Sequence, residues 1–98
     1  MSRRLFVDDG RIQRELVLSG RTLVGRDPQC EVSHADPRLS RRHAEFHRTG
    51  GTFTVSDVGS LNGTYVNRDR IDRVQLKDGD EVQIGKYRLV FFAGHTAG

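Results

Sequence analysis

Ser40, Arg41, Arg42 and His43 follow one another directly, placing a hydroxyl, two guanidiniums and an imidazole in four consecutive positions. A hydroxyl donor beside planar guanidinium forks matches a phosphate dianion, because each fork offers paired N–H donors to two oxygens. On a solvated loop the same residues would be ordinary surface charge, so their setting decides between the two readings. Asp36-Pro37 breaks regular structure just before them.

Other chemistries find less support. His43 and His47 are four apart, which on a helix would put both on one face as a zinc pair. On a strand the same spacing separates them by roughly 13 Å, too far to share an ion. The alternation around them favours the strand, and neither Cys30 nor His34 is spaced as a third ligand, so no metal site is expected. Asp78, Asp80 and Glu81 lack the further ligands that a calcium loop distributes over about twelve residues, and Asp78-Gly79-Asp80 reads as a turn. There is no G-x-S-x-G nucleophile elbow and no glycine-rich phosphate loop leading into a helix. No catalytic residue and no cofactor are expected.

The elements that must position Ser40–His43 are strands. Period-two alternation runs through Arg3–Val7, Arg11–Leu18, Thr22–Gly25, Ala44–His47, Thr52–Val58, Thr64–Val66, Glu81–Ile84 and Tyr87–Phe92, with Cys30–Val32 as a short candidate. Turns are marked by Asp9-Gly10, Ser19-Gly20, Gly50-Gly51, Asn67-Arg68-Asp69, Asp78-Gly79-Asp80 and Gly85-Lys86. No window shows a capped 3.6-residue period. Many short strands with such turns predict an all-β sandwich or barrel. Only Arg26–Leu39 and Gly59–Gly63 are long loops, the places where function tends to sit.

Composition sets the outer bounds. Ninety-eight residues make one domain with a core large enough to do without metals or disulfides. The longest apolar run, Leu89–Ala93, is too short to span a bilayer, and the Arg3-Arg4 start lacks the apolar segment of a signal peptide. One cysteine, Cys30, rules out an internal disulfide and fits a reducing compartment, so the cytoplasm is expected. The net charge of +3 suits anionic partners, but thirteen acids interleave with the arginines and no nucleic-acid stripe emerges.

Three segments combine in order: Gly25-Arg26 at a strand end, Ser40-x-x-His43 after a loop, and Asn62-Gly63 in the next long loop. In this the chain resembles the forkhead-associated (FHA) family, whose pattern is Gly-Arg, Ser-x-x-His and Asn-Gly. The likeness extends to Asp57–Asn67, Leu76–Asp80, Val82–Gly85 and Arg88-Leu89, covers about residues 22 to 92, and is closest to bacterial cytosolic members. The resemblance implies an FHA-like (SMAD/FHA) β-sandwich of about eleven strands over residues 1–93, with binding loops at one end and a flexible segment at 94–98. It implies a non-enzymatic phosphothreonine-peptide-binding module in Ser/Thr kinase signalling.

A phosphothreonine carries about −1.5 to −2 charge and three acceptor oxygens. By similarity, Ser40 gives its hydroxyl to the phosphate, Arg26 contacts the phosphate or the adjacent peptide backbone, Arg41 reaches the phosphate, and Asn62 holds the peptide main chain. Ser60 either donates to the phosphate or closes its own turn, and Leu61 either touches the ligand or packs the loop. His43 is expected to prop the loops, Gly25 and Gly63 to supply backbone freedom, and Arg42 to be solvated charge. The implied partners are phosphothreonine-containing proteins, a Ser/Thr kinase or its substrate among them, with no nucleic acid, no membrane and a monomeric domain. The alternative is a phospho-independent interaction domain within a larger protein. Some small bacterial members dock a phosphorylated N-terminal threonine into their own pocket. Here Met1 leads almost straight into the first predicted strand and Thr22 is the first threonine, which argues against that switch and leaves Thr96 as a remote self-docking candidate.

Overall fold

Alternation leaves each strand one apolar face to bury, and two sheets packed face to face bury both. The computed structural model describes residues 3–8, 13–18 and 20–92. Eleven strands occur among them: β1 (Arg3–Asp8), β2 (Gln13–Leu18), β3 (Thr22–Gly25), β4 (Val32–Ser33), β5 (Ala44–Thr49) and β6 (Thr52–Asp57), then β7 (Thr64–Val66), β8 (Asp69–Ile71), β9 (Arg73–Gln75), β10 (Glu81–Ile84) and β11 (Tyr87–Phe92). One sheet runs β2-β1-β11-β10-β7-β8 and the other β4-β3-β5-β6-β9. All neighbours are antiparallel except β3 and β4.

The core lies between the sheets. Leu5, Val7, Val82, Ile84, Leu89 and Phe91 face inward from the first, and Val24, Val32, Ala44, Phe46, Phe53 and Val55 from the second. Each of these is at most 2% exposed, so truncating one opens a cavity rather than a solvated notch.

The expected β-sandwich is the observed one. Within it, the short strand expected at Cys30–Val32 lies instead at Val32–Ser33, because Cys30 is still in the turn that Asp27 closes: its amide donates to the Asp27 carbonyl at 2.9 Å. β9 carries no alternating apolar signal, since only Val74 of its three residues packs on the core. Thr22 is buried in β3. The expected Asp9-Gly10 turn and all of residues 94–98, Thr96 among them, lie outside the described residues.

Register places the loops. Val24 pairs with both Val32 and Ala44, and Ala44 with Asp57, so the ends of β3, β4 and β6 and the start of β5 share one edge of the sandwich. Ile84 pairs with Thr64, bringing the start of β7 and the β10–β11 turn close to each other on the other sheet.

The β7–β8 hairpin turns on Asn67-Arg68, because Val66 pairs with Asp69; Asp69, expected within the turn, is the first residue of β8. Both turn residues have positive φ, 49° for Asn67 and 76° for Arg68. Asparagine tolerates this; arginine does so at a cost of roughly 1–2 kcal/mol. Anchoring by Asn67 holds the turn: its amide donates to the Glu81 carbonyl at 2.8 Å, its Nδ2 donates to Asp80, and its Oδ1 accepts from the Glu81 amide. Arg68→Gly is therefore expected to raise stability by up to about 1 kcal/mol, the relief of strain less the backbone entropy of glycine. Chemical denaturation of the two proteins measures it, and a destabilised variant would contradict the account.

Candidate functional site

The loop between β4 and β5 is pinned at two points. Leu39 is buried against the core and His43 is fully buried, while Arg41 and Arg42 between them are exposed. The segment is also stitched to the end of β3. Arg26 N–H donates to the Ser40 carbonyl at 3.0 Å, Asp27 N–H to the Arg41 carbonyl at 3.1 Å, and His43 N–H to the Val24 carbonyl at 2.9 Å. Gly25 makes this approach possible. A Cβ there would stand 2.2 Å from the Arg41 carbonyl oxygen, against backbone that cannot swing aside.

His43 ties this loop to the next one. The Ser40 amide donates to its Nδ1 at 3.3 Å, and its Nε2 lies 2.8 Å from the Gly63 carbonyl. Both contacts are satisfied at once by the neutral tautomer carrying its proton on Nε2, an assignment made from the hydrogen-bond pattern. His43 thus bridges the two loops through both ring nitrogens. Two further bonds bind the loops: the Leu61 amide donates to Ser40 Oγ at 3.0 Å, and Asn62 Nδ2 donates to the Arg38 carbonyl at 2.9 Å.

The β6–β7 loop closes around a residue the sequence reading did not single out. Asp57 Oδ1 accepts from the amides of Gly59 and Ser60, both at 2.9 Å, and Oδ2 from the hydroxyls of Ser60 and Thr64. Ser60 Oγ in turn accepts from the Gly63 amide at 3.0 Å. The Ser60 hydroxyl thus bonds within its own turn. Asp57 was legible only as the acid three residues before Ser60 and seven before Thr64. Arg70 was missed as well: its guanidinium passes over Gly63, whose φ is +92° and whose Cβ, if present, would lie 2.9 Å from Arg70 Nε.

Ser40, Arg26, Arg41, Asn62 and Leu61 are brought together around these loops. Ser40 Oγ uses a lone pair for Leu61, and among the described residues its own proton has no acceptor. The Arg26 and Arg41 side chains are exposed, with no ion pair among the described residues. Leu61 stands 84% exposed at the tip of its loop. The arrangement offers a hydroxyl donor and two uncommitted cations beside a bare apolar side chain. It contains no nucleophile–base pair, and the described residues hold no cluster of three metal-ligating side chains. Cys30 is buried, its thiol 3.4 Å from the Arg41 carbonyl. Burial first, then the nearby Asp27 and Glu31 carboxylates, push its pKa up, so it behaves as a small packed side chain.

Two substitutions test this framework. Burial acts to raise the Asp57 pKa, but the hydrogen bonds from Ser60, Thr64 and Gly59 outweigh it and hold the carboxyl below its ordinary value. A depressed folded-state pKa contributes stability that is present above the unfolded value, about 4, and disappears as pH falls through the folded one. Asp57→Asn should therefore cost on the order of 1–3 kcal/mol at neutral pH. The gap to the parent should close as acid is added below about pH 4, as denaturant titrations at a series of pH values would record. Gly25→Ala should cost at least about 2 kcal/mol by overpacking and shift the amide resonances of Ser40 and Arg41; an unperturbed loop would refute the close-approach argument.

Comparison with known proteins accords with this geometry. The FHA domain family pattern matches residues 22–85. The glycogen accumulation regulator GarA of Mycolicibacterium smegmatis is 59% identical over 73 residues, 74% of this chain and 46% of that protein. The oxoglutarate dehydrogenase inhibitor of Corynebacterium diphtheriae is 57% identical over 76 residues, 78% of this chain and 53% of that protein. The chain thus spans about half the length of these curated relatives. A solved FHA domain, from work on phosphothreonine-dependent FHA domain interactions, superposes with a TM-score of 0.87 at 32% identity, covering 99% of this chain and all of that one. With the family pattern laid across the loops described above, the chain belongs to the FHA domain family.

Proposed function

We propose that this domain binds phosphothreonine-containing segments of partner proteins and thereby mediates phosphorylation-dependent association in a Ser/Thr kinase pathway. FHA domains are non-catalytic, and the domain acts by binding. The observation that carries the reading is the pairing of committed and uncommitted groups at one loop cluster. The Ser40 and Leu61 amides and the His43 imidazole are consumed in holding the loops, whereas the Ser40 proton and the Arg26 and Arg41 guanidiniums remain available to an anion. A dianion meeting two cations and a hydroxyl forms charge-assisted bonds, which a neutral threonine cannot.

In this reading Ser40, Arg26 and Arg41 take the phosphate. Asn62 has one Nδ2 proton committed to Arg38 and keeps its Oδ1 and second proton for the peptide main chain. Leu61 supplies apolar contact beside the phosphoresidue, and Ser60 acts through its turn. The regulators named among the relatives support a metabolic enzyme as one class of partner, and a cytoplasmic setting accords with them. Among the described residues no helix is long and apolar enough to cross a membrane.

The test is calorimetric titration of matched peptides with threonine or phosphothreonine into the parent, Arg26→Ala and Ser40→Ala. Only the phosphopeptide should bind the parent, and each variant should lose about ten- to a hundredfold in affinity, the value of one charge-assisted hydrogen bond. Equal binding of both peptides, or equal affinity in all three proteins, would sink the proposal.

A further inference from the structure

The outer faces of the two sheets differ. On the sheet that carries β5 and β6 the outward positions are polar, Glu45 and His47 on β5 and Thr54 and Ser56 on β6. An antiparallel face turned to water ordinarily has this character. On the other sheet, Phe6 of β1 and Val90 of β11 are directly paired, with Phe92 beside them, and all three point away from the core. Phe6 and Phe92 are each 38% exposed and pack edge to face, their ring centroids 5.2 Å apart. A groove of about 270 Å³ opens between these residues and Asp8, Gln13 and Arg88. The polar groups around this apolar centre are engaged within the molecule: Arg4 with Glu15 at 3.1 Å, Arg88 with Glu81 at 2.7 Å, and Gln13 with Asp8 at 3.3 Å. Three acids against two arginines disfavour an anionic membrane or a nucleic acid, and a rim so neutralised offers little to a strongly charged peptide.

We propose that this face pairs with the same face of a second copy, about a two-fold axis that crosses β1 at Phe6. The order of side chains on β1 supports that occupant. Arg4, Phe6 and Asp8 share the outer face at equal spacing, a cation and an acid on either side of an aromatic ring. Turning one copy onto the other about such an axis sets the strands antiparallel, so Phe6 meets Phe6 and Arg4 of each copy meets Asp8 of the other. The register carries the match to β11. Phe6 pairs with Val90, Arg4 with Phe92 and Asp8 with Arg88. Val90 therefore meets Val90, and Arg88 of each copy meets the Phe92 ring of the other, a cation–π contact. Glu15 and Glu81 lie on the axis row at the rim, where Arg4 and Arg88 neutralise them. The crossing angle of about 30° between stacked sheets draws those like charges apart. A surface that complements itself in this way is what a two-fold contact requires. Asp8 and Arg88 stand toward the β10–β11 turn and the binding loops, and Arg4 and Phe92 toward the opposite end. The antiparallel pair thus holds its two loop clusters at opposite ends, both open. The contact does not depend on the phosphothreonine reading; where that reading holds, the pair links two phosphorylated segments.

The apolar centre is small for a permanent dimer, so association is expected between about 10 μM and about 1 mM, with the monomer as the dilute form. Sedimentation equilibrium across that range should show the parent's average mass rising toward that of two chains. Phe6→Thr, which keeps a β-forming residue in the strand, should weaken association about tenfold or more. Arg4→Asp and Asp8→Arg should each weaken it alone, because two copies of either variant set like charges together at both contacts. Mixed in equal amounts, the two variants should associate again, since the copy with two acids then meets the copy with two arginines. All three positions lie on the outer face, so the variants should keep the parent's amide spectrum away from β1, β2 and β11. A parent that stays monomeric at the top of the range overturns the proposal, whether or not its Phe6 face takes up a lipid vesicle or another protein. Association unchanged by Phe6→Thr, or a mixture no more associated than its components, overturns it as well.

Discussion

The loop cluster at one end of this domain depends on one buried imidazole. His43 accepts a hydrogen bond from the Ser40 amide on one side and reaches the Gly63 carbonyl on the other, joining loops twenty positions apart in the chain. Burying a polar ring costs free energy unless both nitrogens are satisfied, and here the two loops are the partners that satisfy it. The dependence runs both ways. Displacing either loop strands a buried polar atom, so the low exposure of His43 converts two hydrogen bonds into a constraint on the whole loop cluster.

Around that strut the chemistry divides by reach. Short groups close to the backbone do the holding: the Ser60 and Thr64 hydroxyls and the Asp57 carboxylate fold the β6–β7 loop on itself, and Gly25 lets β3 lie against the Arg41 carbonyl. Long cationic side chains extend outward from the frame. This arrangement bears on affinity, because loops already fixed by internal bonds need little further ordering when a ligand arrives. What remains to be ordered is the rotamer freedom of the arginines, which is why the planar guanidinium, losing less per bond formed than a lysine ammonium would, suits these positions.

Much of this was legible in the sequence, for stateable reasons. Strand alternation and Gly/Asn/Asp turns specify the sandwich, because a period-two pattern can bury only one face. The Gly-Arg, Ser-x-x-His and Asn-Gly segments marked the loops that meet in space. β9 was not legible, since Arg73-Val74-Gln75 is held by pairing with β6 rather than by an apolar pattern of its own. Asp57 was missed because a single acid at a strand end carries no periodic signal; its role exists only once the Gly59–Thr64 turn has wrapped around it. Arg70 was missed because its position over Gly63 follows from the β7–β8 pairing of Thr64 with Ile71, a register set by the short turn at Asn67-Arg68.

That turn links stability to the surface charge of the domain. A two-residue hairpin of the type I′ kind needs positive φ at both central positions, and glycine at the second would satisfy it without strain. With arginine there instead, the fold depends on Asn67 to pin the turn to the start of β10 through three hydrogen bonds. The same bonds engage Asp80 and the Glu81 backbone, while Arg88 engages the Glu81 carboxylate. The anchoring that accommodates a strained arginine therefore also engages Asp80 and the Glu81 amide at the start of β10. Backbone strain and local hydrogen bonding are one arrangement at the β7–β8 turn: the three bonds of Asn67 hold in place the positive φ that Arg68 must adopt.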